Sequence, residues 1–308
     1  MTLSNLLDTA KANLESFPLD GGKTVKMLTT ELAALKKRLP VGDWAQTIQA
    51  CRTHPVCALL HQDPLTARAY TKPRGYQGDA ELLDIIYDYD YHPHWQHPVS
   101  ELGKALFAHT IQGNAPSAVR YRRDYLVSRL DDICNRNSQA IILSVACGHM
   151  REALRSQAIK AGEFERFVGL DHDSETLAVL EQDLKGFGVT SEKGSVMTIL
   201  RGRFDEEQFD FIYAAGLYDY LNDRMAKHLT RKLFQLLRPG GSLLIANYMP
   251  DIEDAGYMET FMGWKLIYRT ELEMQNLCKL IPAATIQKKH IFPDQTGSLT
   301  YLEMQRRQ

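Results

Sequence analysis

The stretch Ile141-Ile142-Leu143-Ser144-Val145-Ala146-Cys147-Gly148-His149 decides how the chain is read. Ala140 to Val145 is short, almost continuously apolar and rich in β-branched residues, as a parallel strand covered on both faces must be. It runs into Ala146, Cys147 and Gly148, whose small side chains let the backbone approach a ligand, with glycine free to adopt unusual dihedrals. Ligands of open α/β sheets sit beyond the carboxyl ends of the strands, where this turn falls. The spacing is not the GxGxxG of a dinucleotide fingerprint, which weighs against pyrophosphate binding. A tight strand–helix connection without a ligand is the alternative this stretch leaves open.

Downstream, apolar runs and helical patterns alternate. A helix is expected from Met150 to Ala161 and a strand from Phe167 to Leu170, ending in Asp171. Ser174 offers an N-cap for a helix over Thr176 to Leu184. Phe209 to Ala214 reads as a strand, Ala226 to Leu237 as a helix closed by Pro239-Gly240-Gly241, and Ser242 to Asn247 as a strand. Such alternation predicts an α/β sheet with crossover helices. A helix over Glu271 to Leu280 precedes two strand-like runs, Thr285 to Phe292 and Ser298 to Met304, whose turn-rich linker predicts an antiparallel hairpin.

Asp171 adds chemistry to this frame. It ends the second strand some two dozen residues after the first turn, where a carboxylate can accept hydrogen bonds from both ribose hydroxyls. The alternative is an acid serving a helix start, the role expected of Asp173. Lys193-Gly194-Ser195-Val196 can bring a backbone amide and the Ser195 hydroxyl to a base edge. Tyr213-Ala214-Ala215-Gly216-Leu217-Tyr218-Asp219-Tyr220 places small residues and then aromatics just beyond a strand. Tyrosine faces attract a sulfonium or ammonium by roughly 1–2 kcal/mol when desolvated. A packed aromatic cluster is the competing reading.

Upstream of about residue 133 the apolar residues recur at helical spacing. Leu3, Leu6, Leu7, Ala10 and Leu14 mark one helix, and Val25, Leu28, Leu32, Leu35 and Leu39 a second, stopped at Pro40. A third runs through Trp44, Ile48 and Cys51. Ala80 to Tyr87 and Ser100 to Ala108 are short helices, and Ala115 to Ile133 is the longest, with Pro116 tolerated near its start. Residues 1–133 are therefore read as a helical domain and 134–308 as the α/β domain.

Thirty-six basic against thirty-eight acidic side chains supply no broad positive field for nucleic acid or an anionic membrane. The five cysteines, Cys51, Cys57, Cys134, Cys147 and Cys278, are scattered without a CxxC pair, a pattern expected of reduced cytoplasmic thiols. No apolar run approaches the roughly 18–20 residues of a membrane span. The N-terminus carries amphipathic helix signals where a secretory peptide has an apolar core. His92, His94 and His97 lie among prolines with no cysteine nearby, which favours a loop over a zinc motif, and no metal is expected.

Ser144-Val145-Ala146-Cys147-Gly148, Asp171, Gly216-Leu217-Tyr218, Arg238-Pro239-Gly240-Gly241 and the closing hairpin together resemble the class I S-adenosylmethionine (SAM)-dependent methyltransferases over residues 134–308. The resemblance implies a Rossmann-like seven-stranded sheet with its last strand antiparallel, an N-terminal all-α lid, SAM at the carboxyl edge and Asp171 on the ribose hydroxyls. Ala146 stands where that family most often has glycine. Lys72-Pro73-Arg74-Gly75-Tyr76-Gln77-Gly78-Asp79 looks like the PRGYxGD signature of a bacterial subgroup, including members linked to hydroxy fatty acid methyl ester formation. Met258-Glu259 through Trp264 to Thr270 resembles that subgroup's segment after the fifth strand. The architecture is also similar to azetidine-2-carboxylate synthases, which use SAM itself as substrate.

These likenesses assign cofactor binding to Arg74, Tyr76, Ala146, Cys147, Gly148, Asp171, Ser195, Val196 and Gly216, and catalysis to Tyr76, Asn114, Tyr218, Asp219 and Tyr220. Arg74, presented from a proline-preset turn, is a candidate to clamp a carboxylate. Tyr76 is a candidate to cover the sulfonium. Asp79 either holds an ammonium or caps the helix that follows, and Asn114 either caps the long helix or offers its amide oxygen to an amine. His149 either approaches the cofactor or starts a helix. Cys147 is read as packing rather than as a nucleophile, and Glu259 and Arg269 either line an acceptor pocket or pair across a loop. Methyl transfer to a small molecule bearing a carboxylate or hydroxyl leads the functional readings. Ring closure of SAM and noncatalytic SAM binding are the alternatives.

Overall fold

A computed structural model describes residues 2–87 and 98–308. In chain order the helices are α1 (Leu3–Ser16), α2 (Gly21–Arg38), α3 (Val41–Thr53), α4 (Val56–Leu60), α5 (Pro64–Thr71), α6 (Ala80–Tyr87), α7 (Glu101–Thr110), α8 (Asn114–Arg136), α9 (Gln157–Lys160), α10 (Ser174–Asp183), α11 (Val196–Leu200), α12 (Asp223–Gln235), α13 (Ala255–Thr260) and α14 (Glu271–Asn276). The strands are β1 (Ile141–Val145), β2 (Arg166–Asp171), β3 (Val189–Lys193), β4 (Phe209–Ala214), β5 (Leu237–Tyr248), β6 (Ile286–Pro293) and β7 (Leu299–Arg306). The chain forms two compact units: Met1–Arg120 with Asp251–Lys265, and Tyr121–Pro250 with Leu266–Gln308. The division falls inside α8 instead of at residue 133.

The first unit is helical, and its helices follow the apolar spacing of the sequence. In α1, Leu6, Leu7, Ala10 and Leu14 are buried along one stripe and Thr2 caps the start by accepting from the Asn5 amide. Helix α5 was not anticipated, although Asp63 accepts from the Leu65 and Thr66 amides and Pro64 occupies the first helical position. The Asp63 carboxylate also accepts from the Thr110 hydroxyl, tying α7 to this cap.

Asp251–Lys265 joins this unit because its polar groups complete those of the helices. Asp254 accepts from the Ala115 amide at 2.5 Å and from the Asn114 amide, so two donors at the start of α8 are satisfied by a segment distant in sequence. Buried Glu259 accepts from Trp44 Nε1 at 2.8 Å and pairs with Lys36 Nζ at 2.9 Å. Arg52 donates to the Glu259 and Thr260 carbonyls. Gly256 lies against α2 so closely that a Cβ there would fall 2.6 Å from the Leu32 carbonyl carbon.

In the second unit the seven strands of the described residues pair in the order β3-β2-β1-β4-β5-β7-β6. β1 to β5 pair in parallel, and β7 runs antiparallel between β5 and β6. This is the mixed α/β, Rossmann-like arrangement expected. Alternate residues face opposite sides. Leu143, Val145, Ile212, Leu243 and Ile245 pack with α12 and α14, whereas Ile142, Phe167, Phe211, Tyr213 and Leu244 pack with the C-terminal part of α8 and with α10. At one end β6 exposes Lys288, Lys289 and His290, the kind of edge that resists pairing with another chain.

Three local expectations are corrected. The helix expected from Met150 to Ala161 is reduced to Gln157–Lys160, because Met150 takes φ +49°, a left-handed value that breaks an α-helix at its first turn. The cap of α10 is Asp173, which accepts from the Glu175 and Thr176 amides, and Ser174 is already helical. Pro239-Gly240-Gly241 lies within β5, past a helix that ends at Gln235. β3 was not anticipated. His92, His94 and His97 lie outside the described residues, and among those residues no helix is long and apolar enough to cross a membrane.

Candidate cofactor site at the carboxyl edge of the sheet

The register places Val145 beside Leu170, Asp171 beside Lys193 and Ala214 beside Ile245, so the strands reach a common edge. Pairing continues into the connections, with the Cys147 amide donating to the Leu170 carbonyl at 3.1 Å and the Gly194 amide to the Asp171 carbonyl at 2.8 Å.

After β1 the backbone turns through left-handed values at alternate residues: Ala146 φ +52°, Gly148 φ +58° and Met150 φ +49°. Only Gly148 adopts this region without a Cβ penalty. The turn is held from beneath by β2. A Cβ on Gly169 would come 2.5 Å from Met150 Sδ and 3.0 Å from Cys147 Sγ, so a larger residue in the strand would displace the side chains of the loop that lies on it. Cys147 is buried, and burial pushes its thiol well above the ordinary range, which suits packing and not nucleophilic attack. Gly169→Ala is expected to shift this loop, weakening SAM binding several-fold and costing about 1–3 kcal/mol of stability. Calorimetric titration and thermal melting of the same variant check both effects, and wild-type values in each would remove the packing argument.

Asp171 is 6% exposed and oriented by its neighbours. Oδ2 accepts from the Gly148 amide at 3.0 Å, and Oδ1 accepts from the Asp173 amide at 3.1 Å and meets His172 Nδ1 at 3.2 Å. A carboxylate has about four acceptor positions, so the two amide bonds, one to each oxygen, fix its plane and leave a further lone pair on each oxygen. The same bond from Gly148 links the carboxylate to the small-residue turn, bringing Ala146, Cys147, Gly148 and Asp171 together.

Ser195 and Val196 begin α11. The Ser195 amide donates to Thr198 Oγ1 at 3.0 Å and the Gly194 amide to the Asp171 carbonyl, so both are engaged within the protein. Val196 occupies the first helical position of α11, where an N–H has no acceptor within its own helix. Gly194 packs closely on β2, since a Cβ there would fall 2.7 Å from Leu170 Cδ1.

Beyond β4 the aromatics divide. Tyr218 is fully buried, with its hydroxyl 3.0 Å from Thr230 Oγ1, so its phenol belongs to the core, as in the packed-cluster alternative. Tyr220 is 39% exposed. Asp219 between them is 2% exposed; Oδ1 accepts from the Tyr248 amide at 2.7 Å and its carbonyl from the Ile267 amide at 2.7 Å. Burial pushes this carboxyl up to about 6, opposed by the Tyr248 bond and the Arg122 and Arg269 charges. Arg269, 1% exposed, donates to the carbonyls of Tyr218 and Leu221 and to Asn247 Oδ1. It pins the turn that carries Asp219, and it does not pair with Glu259.

Arg122 was missed from sequence. It is 5% exposed, donates through Nη1 to the Ala215 carbonyl at 2.7 Å, and stands 3.8–3.9 Å from where Gly216 would carry a Cβ. The signal was present in α8. The buried stripe Ala115, Ala118, Val119, Leu126 and Leu130 passes through position 122, where an arginine replaces an expected apolar residue. Glu152, also buried, accepts from Tyr213 Oη at 2.7 Å, and burial raises its carboxyl. His149 is buried, with Nδ1 3.4 Å from Arg151 Nη2.

Arg74, Tyr76 and Asn114 belong to the first unit. Arg74 Nη2 donates to Glu81 Oε1 at 2.6 Å. Asp79 accepts from the Leu82 amide and Arg68 Nε, the capping alternative for that residue. Asn114 opens α8 as a helical residue, and the capping carboxylate is Asp254. Among the described residues no group of three or more His, Cys, Asp and Glu is arranged to hold a metal.

Residues 142–241 match a family model described as a methyltransferase domain. No curated protein matches the sequence. A possible exported protein from Bordetella parapertussis is similar in structure over 97% of each chain, at 15% identity and a TM-score of 0.60, and so shares the fold. Magnesium protoporphyrin IX methyltransferase from Synechocystis, with bound SAH, aligns over 72% of this chain and 99% of its own at 12% identity and a TM-score of 0.48. The N-methyltransferase NodS from Bradyrhizobium japonicum, in complex with S-adenosyl-L-homocysteine, aligns over 61% and 88% at 15% identity and a TM-score of 0.44. The turn after β1, Asp171 and β4 thus lie within residues 142–241, the stretch that matches the family model described as a methyltransferase domain.

Proposed function

We propose that the protein transfers a methyl group from SAM to a small molecule bearing a carboxylate or hydroxyl. The observation that carries this reading is Asp171, a buried carboxylate locked by the Gly148 and Asp173 amides beside a left-handed small-residue turn, inside the matched domain. When bound, SAM supplies an electrophilic methyl whose bond to sulfur breaks as the acceptor lone pair attacks, leaving S-adenosylhomocysteine. Asp171 accepts from the ribose hydroxyls, the Ala146–Gly148 backbone borders the donor, and the Val196 N–H faces the base. An acceptor that is already a carboxylate needs no base, so the protein's contribution is position and the exclusion of water.

One observation favours a second reading. Ring closure of SAM to azetidine-2-carboxylate, with loss of methylthioadenosine, requires a proton acceptor for the amino nitrogen, and Asp219, raised to about 6, is suited to take that proton. Incubation of the full chain with SAM alone, then with carboxylate and hydroxyl acceptors, separates the readings by mass spectrometry. S-adenosylhomocysteine formed only with an acceptor is the expected result. Azetidine-2-carboxylate formed from SAM alone would overturn it in favour of ring closure, and binding without any turnover would leave a noncatalytic SAM-binding protein.

A further inference from the structure

We propose that Arg52 and Lys72 form a site in the helical unit for a small oxyanion, a carboxylate or a phosphate, in front of Gly263. Arg52 lies at the end of α3, Tyr70 and Lys72 at the end of α5, and Gly263 in the stretch after α13, all within that unit. A Cβ on Gly263 would lie 3.4 Å from Tyr70 Cδ2, 3.6 Å from Arg52 Nη2 and 3.8 Å from Lys72 Nζ. Two cationic nitrogens therefore border one point, and glycine, at φ +58°, leaves the space before them without a side chain. The Gly263 carbonyl accepts from Gln77 Nε2 at 2.5 Å, which holds the turn in place.

Other cations of this unit are neutralised. Arg68 pairs with Asp79 and Glu81, Arg74 with Glu81, and Lys36 with Glu259. Arg52 donates through Nε and Nη2 to the Thr260 and Glu259 carbonyls at the end of α13, where a cation complements the helix dipole. Its Nη1 has no protein acceptor among the described residues, and its guanidinium stands 5.9 Å from the centre of the half-exposed Tyr70 ring. Lys72 is half-buried, and among the described residues its ammonium has neither a hydrogen bond nor an ion pair.

The backbone of Lys72 is a second, independent observation. It caps α5 at φ +50° and ψ +63°, its amide donating to the Arg68 carbonyl at 3.0 Å. Helices place glycine at such a left-handed cap, because a Cβ is strained there. Glycine would serve the cap better, and an ion pair would need an acid that the described residues do not supply. A strained lysine whose charged end lacks a protein partner fits a contact with a ligand. An anion between the two cations relieves their repulsion and receives a charge-assisted hydrogen bond from each, from Arg52 Nη1 and from the rotatable Lys72 ammonium. The Tyr70 ring supplies a flat wall beside it.

Inorganic phosphate and benzoate, each titrated into the full chain at constant ionic strength set with chloride, test the site through the NMR shift of the Gly263 amide. Saturation in the millimolar range by at least one of them is expected. Saturation by phosphate alone assigns a phosphate-bearing ligand, by benzoate alone a carboxylate, and by both a site that accepts either. Lys72→Gly is expected to weaken binding about tenfold or more while melting no lower than wild type, since glycine suits the cap. Lys72→Arg keeps the charge and is expected to stay within about threefold of wild type. Arg52→Gln, which retains a donor for the α13 carbonyls, is expected to lose about tenfold or more. Absence of saturation by either anion, or unchanged affinity in Lys72→Gly, would overturn the proposal. So would a fall of several degrees in the melting temperature of Lys72→Gly, which would give the lysine a structural role. These readouts follow anion binding alone, so they are decided whether or not the chain binds SAM.

Discussion

Asp171→Ala is expected to weaken SAM binding by about 100-fold or more. Two hydrogen bonds from ribose hydroxyls to a carboxylate contribute about 1.5–3 kcal/mol each, and each 1.4 kcal/mol is about tenfold in affinity. The substitution also removes the acceptors of the Gly148 and Asp173 amides, so the turn loosens as the ribose contact is lost. The melting temperature is expected to fall by only a few degrees, because these amides lie at the sheet edge and water can replace the lost bonds. Asp171→Asn keeps the shape and part of the acceptor capacity, and its loss is expected to be intermediate. Calorimetric titration of SAM with a melting curve for each variant checks the prediction. Wild-type affinity in Asp171→Ala would remove the ribose role.

Arg269→Ala is expected to give the largest loss of stability. The side chain is buried and donates to Tyr218 O at 2.7 Å, Asn247 Oδ1 at 2.6 Å and Leu221 O at 2.5 Å. Truncation leaves three acceptors in a buried site, each costing about 1–3 kcal/mol when unpaired, and a void in place of the guanidinium. A total on the order of 4 kcal/mol corresponds to a fall of about 10 °C in melting temperature for a unit of this size. Arg269→Lys supplies donors from one nitrogen and is expected to recover less than half. A fall smaller than about 2 °C for the alanine variant would contradict the pinning role.

The parts of the fold legible in sequence were those in which one period dominates. β1, β2, β4 and β5 are largely buried and carry mostly apolar cores, and the alternation of these runs with helical patterns specified an α/β sheet with crossover helices. β3 was not legible because it lies at the sheet edge, and Val189-Thr190-Ser191-Glu192-Lys193 has a single aliphatic residue. Met150 to Arg155 looked helical by spacing, but the left-handed Met150 and the turning of Glu152 onto Tyr213 are decided by tertiary contacts. The place of residues 251–265 in the helical unit depends on Asp254 and Glu259 meeting donors more than one hundred positions away.

The candidate site divides in the same way. Ala146, Cys147, Gly148 and Asp171 were legible because a strand end, a small-residue turn and an acid at the next strand end are local signals, and the structure joins them through one hydrogen bond. Tyr218 was misleading, since an aromatic after a strand is equally suited to a core and its hydroxyl meets Thr230. Arg122 left a trace only as a charged residue in an apolar stripe, a signal that acquires meaning once the Ala215 carbonyl is seen beside it. Glycine at 169 carries no local signature, because the need for it comes from Met150 and Cys147 lying across the strand.

Titration of SAM into the full wild-type chain by calorimetry tests the central assignment most directly. The structure predicts saturable binding of one SAM per chain, with an affinity in the micromolar to low-millimolar range usual for enzyme substrates, and S-adenosylhomocysteine competing for the same site. Absence of heat and of competition up to the millimolar range would contradict it.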